Sequence, residues 1–92
     1  MKEVDPLDAY AVIEAIEDIC ERIGIEVRRA PMGGEGGGLC VIKGQKVLYL
    51  DTSADPVTQC EKCLADLASL PEIDNVHVAP FLREALDRTR FE

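Results

Sequence analysis

The chain is poor in the groups on which enzyme sites and nucleic-acid interfaces are usually built. It holds one histidine, His77, and two serines, Ser53 and Ser69. A Ser-His-Asp or Cys-His site would have to use that histidine, and no glycine elbow surrounds either serine. Basic residues are scarce, ten against eighteen acids, for a net charge of −8. A general DNA or RNA binder needs cations to displace phosphate counterions, and an anionic membrane surface asks for the same. Neither partner is expected. No apolar run approaches the roughly 18 residues of a membrane span. The opening MKEVDPLDAYAVIEAIEDIC lacks the basic, apolar and small-residue regions of a secretory signal. The expected compartment is the cytoplasm. No internal repeat and no long linker divides the 92 residues, a length that suits one domain.

Apolar side chains are plentiful. Hydrophobic residues make 47% of the chain and charged residues 30%, the balance of a globular protein. Charge is unevenly spread. Residues 1–26 set eight acids against Lys2 and Arg22, whereas 27–50 set Arg28, Arg29, Lys43 and Lys46 against Glu35 alone. This basic island either attracts an acidic partner or faces the protein's own acidic helices.

Apolar spacing reads as a helix over 7–23, with Ala9, Val12, Ile13, Ile16, Ile19, Cys20 and Ile23 on one stripe. Asp5 is its expected cap, Pro6 suits its first turn, and Gly24 ends it. Residues 25–30 alternate as a strand. Five glycines follow between positions 33 and 38, and then LCVIKGQKVLYLD reads as a hairpin with Gly44-Gln45 at its turn. Leu39, Val41, Leu48 and Leu50 then share one face, and Cys40, Ile42, Val47 and Tyr49 the other. A second helix, capped by Ser53 or Asp55, runs from Pro56 to about Leu70 with Val57, Cys60, Leu64, Leu67 and Ala68 inward. NVHVA, 75–79, reads as a fourth strand, and Pro80 opens a last helix with Leu82, Ala85 and Leu86 inward. The expected fold is an α+β two-layer sandwich: helix, three-stranded antiparallel meander, helix, strand, helix.

Three groups of residues are candidates for chemistry. The first is the cysteines. Cys60 and Cys63 form a C-x-x-C, but Cys60 falls on the apolar stripe and past the first turn, where a helix dipole no longer lowers a thiol pKa. Zinc would need two more ligands, and only Cys20, Cys40 and His77 remain as soft donors, on three different elements. The cysteines are therefore expected as reduced core residues, with a thiol-based metal or redox site as the alternative. The second is the glycine loop. GGEGGGL matches neither G-x-G-x-x-G nor a P-loop, it precedes a strand, and Glu35 would repel a phosphate. The third is the corner Asp51–Asp55, where a strand ends and a helix starts, a place that suits both ligands and caps. Gly34, Glu35, Gly36, Arg28 and Asp51 are the candidate contacts for a partner or ligand.

The segment 39–70, LCVIKGQKVLYLDTSADPVTQCEKCLADLASL, resembles the hairpin-then-helix stretch of small zincin metallopeptidases. In that family the helix carries His-Glu-x-x-His. Aligned on the strand end at Asp51, those positions are Ala65, Asp66, Leu67, Ala68 and Ser69. Both zinc-binding histidines are missing, and Asp66 stands in the place of the catalytic glutamate, so the resemblance implies a relative without catalysis. No cofactor is expected. The sequence points to an accessory or interaction module, not an enzyme, that binds a protein partner or a second copy. A hairpin with two apolar faces asks for cover on both.

Overall fold

The computed structural model describes residues 6–90. Among these, three helices and a three-stranded mixed sheet make an α+β fold. The order is α1 (Pro6–Arg22), β1 (Glu26–Ala30), β2 (Gly37–Ile42), β3 (Gln45–Asp51), α2 (Pro56–Ala68) and α3 (Pro80–Arg90), with a 3-10 turn at Pro71–Asn75. The expected cap Asp5 lies outside the described residues.

The helices form where the apolar spacing places them. Ala9, Val12, Ile13, Ile16, Ile19 and Cys20 are all buried along α1. Isoleucine lowers intrinsic helix propensity, so this stripe's packing, not its backbone preference, holds α1 together. Cys60, Leu64 and Leu67 of α2 and Leu82, Ala85 and Leu86 of α3 join it in one core. Asp55 caps α2: its carboxylate accepts the Thr58 amide at 2.9 Å and the Thr58 hydroxyl at 3.1 Å. Pro56 takes the first helical position, where its missing N–H costs nothing.

The sheet differs from the expected meander. Its strand order is β1-β3-β2, and β1 runs parallel to β3, with only β2 and β3 antiparallel. After β1 the chain steps over the end of β3 and enters the sheet on its far side. The glycine segment makes that step possible. At Gly37, with φ +95°, a Cβ would sit 2.1 Å from the Tyr49 carbonyl oxygen, a contact that only glycine avoids.

The hairpin turn also moves. Ile42 pairs with Gln45, so Lys43 and Gly44 are the central residues, both at positive φ (52° and 80°). This is the type I′ geometry whose twist matches the strands. The shift from the expected register is two residues, one full pleat, so each side chain keeps its face. Leu39, Leu48 and Leu50 point to the core beside Val27.

Residues 75–79 do not form a fourth strand. Asn75 ends the 3-10 turn and 76–79 are irregular. Val78 is buried and His77 exposed, as alternation requires. Period-two alternation reports which side of an extended chain is buried. Pairing needs a free strand edge as well, and β3 already has β1 on one side and β2 on the other.

Candidate functional site

Asp51 sits at the end of β3 with no exposed surface. Its Oδ1 accepts the amides of Met32 (2.8 Å) and Ser53 (2.9 Å), and its Oδ2 those of Gly34 (2.7 Å) and Gly36 (3.2 Å). Two bonds on each oxygen fill the acceptor capacity of a carboxylate. Burial by itself would raise the pKa of this group. The four amides outweigh it and hold the carboxyl down at about 2. Asp51, Gly34 and Gly36 thus meet in one knot that ties the crossover loop to the strand end. Glu35 projects from that loop into solvent. Arg28 stands apart, on the sheet, where its guanidinium donates to Glu26 at 2.6 Å and to the Tyr49 hydroxyl at 3.3 Å.

The corner therefore carries no free carboxylate for acid–base work. A polar cleft does open beside it, between α1 and the start of α2, lined by Tyr10, Glu14, Glu17, Arg29, Thr52 and Gln59 among others. Arg29 is ion-paired with Glu17 there, and the Gln59 amide nitrogen donates to the Ala54 carbonyl at 2.9 Å. The sequence reading missed this cleft. Its residues come from α1, β1 and the β3–α2 corner, and no local motif links them. Among the described residues, no buried side-chain nitrogen or oxygen is left without a hydrogen-bond partner.

The cysteines divide three to one. Cys20, Cys60 and Cys63 are buried in the core, and Cys40 is exposed on the other face of the sheet. Cys60 directs its thiol to the Ala9 carbonyl at 3.1 Å. Burial pushes Cys20 and Cys60 up to about 11 and Cys63 up to about 12, with nearby acids adding to the effect. At neutral pH such raised values keep these thiols protonated, and the thiol is a far weaker nucleophile than the thiolate. Among the described residues, no group of three or more His, Cys, Asp or Glu side chains is arranged to hold a metal ion.

Asp66, which the zincin resemblance places at the catalytic glutamate, is half-buried and spent on the Leu39 amide. His77 is exposed, and its carbonyl accepts from Arg22 at 3.3 Å.

The second face of the sheet is different in kind. Val47 and Tyr49 of β3 and Cys40 and Ile42 of β2 point away from the helices. Val47 is buried without belonging to the core cluster, Tyr49 and Ile42 are half-buried, and Cys40 is exposed. The charge of the basic island is largely cancelled within the chain. Of the four cations in the basic island, Arg28 pairs with Glu26, Arg29 with Glu17 and Lys46 with Glu72. The island faces the protein's own acids. No described helix is long and apolar enough to cross a membrane.

Compared with known proteins, the chain matches no family model, no curated protein and no solved structure.

Proposed function

We propose that the chain is a protein-interaction or accessory module that performs no catalysis and binds through the open face of its sheet. One observation carries this reading: on the sheet face opposite the core, Cys40 is exposed and Ile42 and Tyr49 are half-exposed around a buried Val47. Apolar surface left open on a sheet favours a partner. The saturated Asp51 and the protonated core thiols support it, because both candidate chemistries lack a free reactive group. The partner is a protein, either another chain or a second copy. The internal ion pairs of the basic island argue against nucleic acid and against an anionic membrane surface. Reduced thiols in the core suit the cytoplasm. A non-catalytic relative of the small zincins is compatible with the same reading, since Asp66 serves the backbone.

Cys40 supplies the test, being the exposed thiol of the four. A photo-crosslinker attached there should give one discrete adduct in the native cell extract. Ile42→Glu should abolish the adduct, and Phe81→Glu, on α3, should leave it intact. Diffuse labelling that ignores Ile42→Glu would refute the reading.

A further inference from the structure

The two edges of the sheet are not alike. On the edge of β2, Asp66 of α2 takes the outward amide of Leu39, and Val41 beyond it is exposed. The edge of β1 is open. Ala30 uses its carbonyl to accept from Thr52, at 3.0 Å, which fixes the parity of the strand. Residues 26, 28 and 30 turn their backbone groups toward β3, and residues 27 and 29 turn theirs outward. Among the described residues, nothing bonds to the outward amides and carbonyls of Val27 and Arg29. Such a row is a template for another strand.

The side chains along this edge narrow the choice of strand. Glu26 and Arg28 lie two apart on the open face, Val27 lies between them on the core face, and both charges are exposed. A second copy of β1 can pair antiparallel about a two-fold axis in few registers. Centring on Arg28 sets Arg28 against Arg28, and centring on Arg29 sets Arg29 against Arg29; both place like charges in direct opposition. Centring on Val27 sets Val27 against Val27 and Glu26 against Arg28, twice by symmetry. Only that register sets Glu26 and Arg28 each against its opposite.

We propose that the free edge of β1 pairs with β1 of a second copy, in the register centred on Val27, to make a continuous six-stranded sheet. Val27 exchanges both backbone bonds with Val27 of the second copy. The Arg29 amide of each copy donates to the Ile25 carbonyl of the other; the Ile25 amide is already given to Cys20 at 2.8 Å. The charges that guard the edge against other strands admit this one. The two open faces then join into one surface, so the proposal deepens the interaction reading and rests on it.

Charge exchange tests it. At physiological salt, sedimentation equilibrium of the native chain should give a monomer–dimer equilibrium in a loading series reaching millimolar protein. Glu26→Arg alone and Arg28→Glu alone should each weaken the dimer by about tenfold or more, since two attractions become two repulsions. The double variant Glu26→Arg/Arg28→Glu should restore it. Circular dichroism should find all three variants folded, the sites being exposed. As an independent measure on the unaltered chain, hydrogen exchange at the Val27 and Arg29 amides should slow as concentration rises. A monomer at every loading, single reversals without effect, or a double variant that does not recover would each overturn the pairing. None of these outcomes touches the Cys40 adduct, which tests the open face separately.

Discussion

Asp51 shows how one side chain can fix a topology. Its carboxylate gathers three amides from the crossover loop and one from the following corner. Asparagine is nearly isosteric but turns a donor toward two of those amides. Asp51→Asn should therefore lower the melting temperature by several degrees at neutral pH, measured by circular dichroism. The acid dependence has a definite sign. The carboxyl titrates at about 2 in the folded chain against an ordinary 3.8. A depressed folded pKa contributes stability that is fully present above about pH 4 and is lost as pH falls through about 2. The gap between the native chain and Asp51→Asn should stay constant down to about pH 4 and close below it. The cysteines make a second prediction at this scale. With Cys20, Cys60 and Cys63 buried and raised to about 11 or 12, Ellman's reagent should titrate one thiol quickly in the native chain and four after denaturation. Cys40→Ser should remove the fast one. A fast reaction at Cys60 or Cys63 would revive the thiol reading.

Elements follow from the sequence to different depths. The helical stripes are legible because burial repeats with the helix: the residues expected inward on α1 and α3 are buried, except Ile23, which lies just past the end of α1 and is half-buried. The faces of the hairpin are legible too, although its turn sits at Lys43-Gly44, because a slip of two residues preserves the pleat. The parallel pairing of β1 is not legible. Alternation tells which side of IEVRRA is buried and says nothing of which strand lies beside it. The knot that decides the matter is made by backbone amides, which no side-chain pattern displays. The same blindness turns 75–79 into a strand on paper. Asp66 is the clearest case of a residue whose work is visible only in three dimensions, since it holds a strand-edge amide 27 residues away. Asp66→Ala should cost about 1–2 kcal/mol, the usual worth of a charge-assisted bond in a half-buried place. It should also speed hydrogen exchange at the Leu39 amide while leaving that of Leu48 slow. Equal acceleration at both amides would mean general loosening and would count against that local hold.

For the whole molecule, the decisive quantity is the balance between near and far charges. Arg22, Arg28, Arg29, Arg83 and Arg88 each touch a carboxylate of the same chain. These pairs lie at the surface, where each contributes no more than about 1 kcal/mol. The net charge of −8 acts at longer range, across a body with a radius of gyration of 12.2 Å. Screening separates the two. The Debye length falls from roughly 30 Å at 0.01 M salt to roughly 8 Å at 0.15 M. At the higher value most acid–acid repulsion across the molecule is screened, but charges in contact still attract. Added salt should therefore raise the melting temperature over this range and then level off. A melting temperature that falls steadily with salt would mean that the surface pairs outweigh the repulsion. The same screening should favour association through β1, because the opposed Glu26 and Arg28 are in contact while the acidic bodies they join are not. Dimerisation should strengthen between about 0.01 M and 0.15 M salt, where a contact held together by long-range attraction would weaken.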